Sequence, residues 1–316
     1  RTAEALLALI SLTATLPADR RPMAERGMRK VRMSGVHAEP TIPATAWRAL
    51  LSPVDGRGAQ VIWFIASRPD SDRPTALVIV TADRAGIVAA ASAEALPADD
   101  IPPTVPEGTL LAVPQPAGRR PLLLAGASFA AGRRAVYRAL EQNWRAGQMP
   151  PLAYRFLSDQ IWQYGPLDEA TLAGPAVAAD LERLGGDTAA LLDHEAFADW
   201  FWPAEALYRA VADLPGRFPL TQEARGAVVR NLAETAFTAD DVAAYRRRLD
   251  AMAKWLYDAH QETEAQLAAT AAEQLRAAPP AASPFVQRLI SRSLDLAALD
   301  IQFQARRARK PTMHRS

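Results

Sequence analysis

The chain has 316 residues, 49% of them hydrophobic and 22% charged, a composition that excludes a disordered protein and suits two globular domains of ordinary size. Its formal net charge of +1 excludes a global field that attracts nucleic acid or an anionic membrane, so either role requires a local patch. The absence of cysteine excludes disulfides, thiolate-bound zinc, iron–sulfur clusters and thiol nucleophiles, and it favours a cytoplasmic location.

Two helices are predicted in residues 3–34, separated by the sequence LPADRRP. The apolar run at 5–16 is shorter than the roughly 20 residues of a membrane-spanning helix, and Glu4 beside it argues against a secretory signal. The second helix is rich in Arg and Lys. This pattern is similar to one HEAT-type repeat unit, and the resemblance implies that the pair ends a helical-repeat chain whose other copies lie upstream.

A small antiparallel sheet is predicted for residues 59–93. The runs AQVIWFIA (59–66) and TALVIVTA (75–82) are rich in β-branched and aromatic residues, and IVAAASA (87–93) is the third run. Because the runs are nearly continuous rather than alternating, we expect at least one strand to be buried on both faces. Seven prolines in 97–121 exclude a helix there. They indicate a domain boundary or crossover, with one short edge strand at 108–113.

The rest of the chain is predicted to be almost entirely helical. Ser128, Thr238 and Ser283 are suited to begin helices as N-caps, and the surroundings of Ser128 lack the G-x-S-x-G spacing of a nucleophile elbow. The expected helices are 128–146, 150–163, 168–184, 188–201, 203–213, 221–236, 239–259, 261–277 and 284–306.

The fold class predicted from these elements is α+β and predominantly helical. A small antiparallel β-meander is followed by a larger irregular all-α domain. The expected divisions are a helical pair at 1–34, a sheet domain with a Pro-rich connection at 35–121, an all-α domain at 122–305 and a disordered basic tail at 306–316.

The segment ALLDHEAFADWFW (190–202) is the first candidate for chemistry. A paired-histidine metal site needs histidines four residues apart on a helix, and the residue four positions after His194 is Ala198. Glu195 and Asp199 have that spacing and would share a helix face. We interpret the segment as an amphipathic helix with an acidic exposed face and a packed aromatic end. Neither a metal nor a cofactor is predicted here, and Glu195 is kept as a candidate ligand-binding residue.

The segment SPVDGRGAQ (52–60) is the second candidate, because Gly56 and Gly58 could approach a phosphate closely. Nucleotide-binding loops run strand, glycines, helix, whereas the order expected here is helix, glycines, strand. A turn that enters the first strand is therefore favoured. Asp55 and Arg57 are still the polar groups that we expect in any small-molecule pocket between the sheet and the helical domain.

Two basic clusters could contact nucleic acid, because clustered Arg and Lys neutralise phosphates. Neither cluster contains the aromatic side chains that single-strand binding requires, so a solvated helix face and a disordered tail stay open as alternatives. The first cluster consists of Arg20, Arg21, Arg26, Arg29, Lys30 and Arg32, with the single acid Glu25. The second consists of Arg306, Arg307, Arg309, Lys310 and Arg315, with no acid.

The leading functional hypothesis is a non-catalytic protein-interaction or scaffold protein, because helices abound and every catalytic pattern fails. The aromatic sequence WFWP at 200–203 is either core or part of a partner groove. The alternatives are an enzyme of unrecognised type with a pocket between sheet and helices, and a nucleic-acid binder that uses residues 20–32. The expected partner is another protein, without a cofactor and without a membrane.

Overall fold

A computed structural model describes residues 2–68, 71–115, 120–213 and 220–308. The predicted α+β fold, predominantly helical with an antiparallel sheet in its N-terminal part, is confirmed. Two compact units divide the described residues. One consists of 2–54, 58–177 and 254–262, and the other of 55–57, 178–253 and 263–308. The domain boundaries at 34, 121 and 305 stay predictions. Within the described ranges, no helix has both the length and the apolar character needed to cross a membrane.

The first unit contains an antiparallel sheet with helices beside it. Its strands follow the order β4-β3-β2-β1-β6-β5, and they are β1 (Trp47–Leu51), β2 (Ala59–Arg68), β3 (Ser71–Ala82), β4 (Gly86–Ser92), β5 (Leu110–Val113) and β6 (Leu122–Ser128). Its helices are α1 (Ala3–Thr15), α2 (Arg21–Arg32), α3 (Phe129–Arg145), α4 (Leu152–Leu157), α5 (Asp159–Trp162) and α6 (Glu169–Ala173), with 3-10 turns at Ala44–Ala46, Ala93–Ala95 and Ala98–Asp100.

The predicted meander is confirmed in β2, β3 and β4, and the predicted edge strand is β5. Two further strands enlarge the sheet, because β1 pairs with both β2 and β6. The helix expected before Gly56 and Gly58 was therefore wrong. The sequence WRALL is too short for a stable helix, and four of its five side chains are buried in the sheet.

One face of the sheet is covered by α3. A Cβ atom on Gly132 would lie 2.6 Å from the Phe64 ring and 2.7 Å from the Ala49 Cβ, so only glycine permits this close approach of the helix to the strands. The ring of Phe129, at the start of α3, stacks on Trp47 with 5.7 Å between centroids. The apolar side chains between this face of the sheet and α3 therefore form one continuous core.

The opposite face is covered by the Pro-rich stretch. Leu50, Trp63 and Leu124 lie in a buried cluster on this face, against which Ile101 and Val105 of the stretch pack. At Gly126 the carbonyl oxygen of Pro106 occupies the position that a Cβ would need. Across its described residues this covering segment is irregular apart from the 3-10 turn at Ala98–Asp100 and strand β5, because its prolines prevent a continuous helix.

A buried cation connects α3 to the segment after α5. The Arg133 guanidinium lies 4.8 Å from the centroid of the Trp162 ring and 5.5 Å from that of Phe129, and it donates a hydrogen bond to the Gly165 carbonyl. Burial lowers the pKa of Arg133 to about 10, so the side chain stays charged at neutral pH. Aromatic faces offset part of the cost of burying this charge.

The second unit is helical around an aromatic core. Trp200 packs on Phe197 at 4.8 Å and on Tyr245 at 6.0 Å between ring centroids, and the Tyr245 hydroxyl donates to the Phe201 carbonyl at 2.7 Å. The core interpretation of WFWP is confirmed for Trp200 and Trp202, which are buried. The helices are α7 (Leu181–Leu184), α8 (Glu205–Ala212), α9 (Gln222–Thr235), α10 (Ala239–Asp258), α11 (Glu262–Ala277) and α12 (Pro284–Ala308), with 3-10 helices at Gly185–Asp193, Glu195–Phe197 and Pro280–Ala282.

Two helix predictions were wrong. The range 168–184 is interrupted because Gly174 ends α6 with a φ of +69° and the following proline disfavours a helical residue before it. The range 188–201 contains two 3-10 helices instead of an α-helix, and the N-cap at His194 starts a new element inside the apolar pattern.

The close approach at Gly132 predicts a large effect of one methyl group. We expect Gly132→Ala to lower the free energy of unfolding by about 1–3 kcal/mol, because the new Cβ overpacks the interface between α3 and the sheet. Gly226→Ala is the matched control, since Gly226 lies in α9 with open space around it, and we expect it to stabilise by about 0.5–1 kcal/mol. Urea unfolding measures both. Equal effects of the two substitutions would contradict this packing.

Candidate functional site

The segment 190–202 does not assemble a ligand set. His194 begins the second 3-10 helix, and its Nδ1 accepts a hydrogen bond from the Ala196 backbone at 3.1 Å. Glu195 and Asp199 are exposed. Searching the described residues for three or more His, Asp or Glu side chains placed to hold a metal ion finds none. The interpretation of these residues as structural is therefore favoured, and His194 is explained by capping.

The turn at Asp55–Arg57 is held by packing within the second unit. The Asp55 carboxylate accepts from the Arg57 backbone at 2.8 Å, and the Arg57 guanidinium lies 5.5 Å from the centroid of the Phe201 ring. The Gly56 carbonyl accepts from Arg248 at 2.7 Å. These contacts bring Asp55 and Arg57 to the segment that follows Glu195. Their assignment to a small-molecule site, together with Glu195, stays a prediction.

The N-terminal basic cluster divides into exposed and inward-facing cations. Arg26, Arg29 and Lys30 are exposed on one side of α2. Arg21 turns inward instead and donates to the Leu16 carbonyl and the Tyr137 hydroxyl, both at 3.5 Å. A contact with nucleic acid through Arg21 would require breaking these bonds, so Arg21 is better explained as a structural residue.

The other two cations of the cluster lie outside this group. Arg20 precedes α2 and its Nε lies 3.9 Å from the Asp19 carboxylate, with both side chains about three-quarters exposed. Arg32 is exposed and lies about 120° around the helix from Arg26 but about 60° from Arg29, just outside the group, at roughly 100° per residue. The side chains of the basic tail, Arg306, Arg307, Arg309, Lys310 and Arg315, lie outside the described residues.

The second unit has an exposed apolar surface at the C-terminal end of α12. Leu296, Leu299 and Phe303 are 45%, 62% and 60% exposed, and Tyr208 of the adjacent helix α8 is 42% exposed. The three α12 residues have the spacing i, i+3, i+7 and share an arc of roughly 60°. We call these four residues the C-terminal apolar face.

Two carboxylates at the margins of this face are already paired. Asp295 receives two hydrogen bonds from Arg225, at 2.7 and 2.8 Å, and this ion pair raises the pKa of Arg225. Asp300 accepts from the Tyr208 hydroxyl at 3.4 Å and from Gln304 at 3.1 Å. The sequence that follows contains five cations and no acid. The sequence that follows Asp300 is therefore cationic.

The sequence analysis missed this face, although its signal was present. In α12 the buried positions include Leu294, Ala297 and Ala298, which supply the stripe that the core needs. Leu296 and Leu299 are additional apolar residues outside that stripe. An amphipathic surface helix is normally polar on the side opposite its core. Apolar residues on that side of α12 therefore indicate a contact with another molecule.

The first unit has an exposed apolar cluster of its own. Met149, Leu152 and Phe156 are 73%, 57% and 75% exposed, in and just before α4. Leu152 and Phe156 have the same spacing as Leu299 and Phe303. The same two substitutions can therefore be made at Leu152 and Phe156 and at Leu299 and Phe303, so that one pair is a matched control for the other.

Comparison of the chain with protein-family models, with curated proteins and with solved structures finds no match.

The capping role of His194 predicts different effects for two neighbouring residues. We expect His194→Ala to lower the free energy of unfolding by about 1 kcal/mol, because the Ala196 N–H loses its acceptor. Glu195→Ala should change it by less than about 0.5 kcal/mol, as is typical of an exposed side chain. Chemical unfolding of both variants is the measurement. A larger loss of unfolding free energy for Glu195→Ala than for His194→Ala would show that the Glu195 carboxylate makes a stabilising contact that is absent from this structure.

Proposed function

We propose that this protein is a non-catalytic interaction protein that binds a partner protein through the C-terminal apolar face. The observation that carries the proposal is the exposure of Leu296, Leu299 and Phe303 in one arc of α12. Apolar side chains are favoured in contact with other apolar surface by roughly 25 cal/mol per Å² removed from water. Contiguous exposed apolar side chains on a soluble protein commonly mark an interaction site.

The spacing of the three α12 residues supports a particular mode of binding. Helices that dock into grooves present apolar anchors at i, i+3 or i+4, and i+7. Leu296, Leu299 and Phe303 follow this pattern over two turns. The opposite side of α12 packs within its own unit through Leu294, Ala297 and Ala298, so the helix offers one edge while its backbone is held in place. A preformed anchor of this kind loses little conformational entropy on binding.

The cationic sequence after Asp300 indicates the chemistry that we expect of the partner. Asp295 and Asp300 are engaged by Arg225, Tyr208 and Gln304, whereas the five cations of the following sequence have no acid among them. A partner with an apolar groove and an acidic rim complements both features. A second copy of this chain is the alternative occupant of the face, and the cross-link described below distinguishes it from another protein.

The test begins with a photo-crosslinking amino acid at position 299, introduced in the native cells, and with identification of the peptide that it labels. We then expect Leu299→Asp/Phe303→Ser to weaken binding of the purified partner at least tenfold, about 1.4 kcal/mol, because two central anchors are lost. Leu152→Asp/Phe156→Ser is the matched control and should change affinity less than twofold. Isothermal titration calorimetry measures both.

Several outcomes would overturn the proposal. Loss of affinity in the control pair alone would place the interface in the first unit. A cross-link only to a second copy of this chain would replace the acidic partner with self-association. A labelled peptide without apolar residues, or without Asp or Glu near them, would contradict the groove and its rim.

A further inference from the structure

We propose that the exposed side of α2 is a separate binding site for the phosphate backbone of double-stranded nucleic acid. Arg26, Arg29 and Lys30 form this site, which we call the α2 basic arc. It lies in the first unit and does not depend on the C-terminal apolar face. All three side chains are exposed, and they span an arc of roughly 100° over little more than one turn.

The cations of the arc are available for an external anion. The ion pairs of the described residues engage Arg20, Arg134, Arg145 and other arginines, and they include none of the three arc residues. Glu25 is the single acid in α2 and lies about 40° around the helix from Arg29, at i, i+4, but no ion pair of the described residues joins the two. Three neighbouring cations with one nearby carboxylate keep a net positive charge, and phosphates would offset the repulsion among them.

The packing of α2 favours nucleic acid over a membrane surface. A helix that lies on a bilayer buries its apolar side among the acyl chains. In α2 that side is used by the protein, since Ala24 and Val31 are buried and Gly27 packs on Leu9 of α1, where an added Cβ would lie 3.1 Å from the leucine. The side that remains outside is the cationic one.

The residues around the arc indicate contact with a backbone instead of with bases. The arc contains no aromatic side chain, and base stacking on aromatics is how proteins hold single strands. Met23 and Met33, at 69% and 88% exposure, lie near the two ends of the arc. They carry no hydrogen-bond donor that could distinguish bases. The binding should therefore be independent of sequence and dominated by charge.

The test is fluorescence anisotropy of a labelled 20-base-pair DNA duplex with the full chain, at several salt concentrations. Neutralising about three phosphates predicts a slope of log K against log salt of roughly −2.7. Arg26→Glu/Lys30→Glu should lower affinity at least tenfold and make the slope shallower by about two. Arg84→Glu/Arg145→Glu changes the net charge equally on exposed side chains of other elements of the first unit and should lower affinity less than threefold.

Four results would overturn the proposal. The first two are absence of duplex binding at 50 mM salt and an equal loss of duplex affinity in the arc variant and its control. The third is binding to phosphatidylserine vesicles but not to the duplex, and the fourth is loss of duplex binding in Arg309→Gln/Lys310→Gln with the arc intact. The last result would assign the binding to the tail. Circular dichroism of every variant separates these outcomes from misfolding.

Discussion

The first unit depends on covering both faces of a sheet in which strand β2 has a continuous apolar run at 61–66. Ile62, Trp63, Phe64 and Ile65 are all buried, and alternate residues of a strand point to opposite faces. Neither face can therefore be left in water without exposing large side chains. Helix α3 covers one face and the Pro-rich stretch covers the other. Each cover approaches closely at a glycine, Gly132 on one side and Gly126 on the other.

The predictions succeeded where a local pattern matched the final environment. The hairpin of β2 and β3 follows from two apolar runs of strand length around a turn. The N-cap of α10 was also confirmed, since Thr238 Oγ1 accepts from the Asp241 backbone while the Asp241 carboxylate accepts from the Thr238 backbone. These features depend on neighbouring residues, so the sequence contains the information that determines them.

The missed features depend on distant partners. Strand β1 is short and becomes a strand because β2 and β6 lie on either side of it. The 3-10 helices around His194 arise in a segment whose apolar spacing is close to that of an α-helix, and the hydrogen bond from the Ala196 N–H to His194 starts a separate element there. Within the candidate surfaces, the cations of α2 were identified from the sequence. Their division into the inward Arg21 and the exposed Arg26 required the position of Tyr137.

The central claim is that the C-terminal apolar face is covered by another protein in the cell. Hydroxyl-radical footprinting of the chain in intact cells, compared with the purified protein, tests this directly. We expect strong protection of Leu296, Leu299 and Phe303 in cells, with Met149, Leu152 and Phe156 labelled as in the purified protein. Equal labelling of Leu299 and Phe303 in the two samples would contradict it.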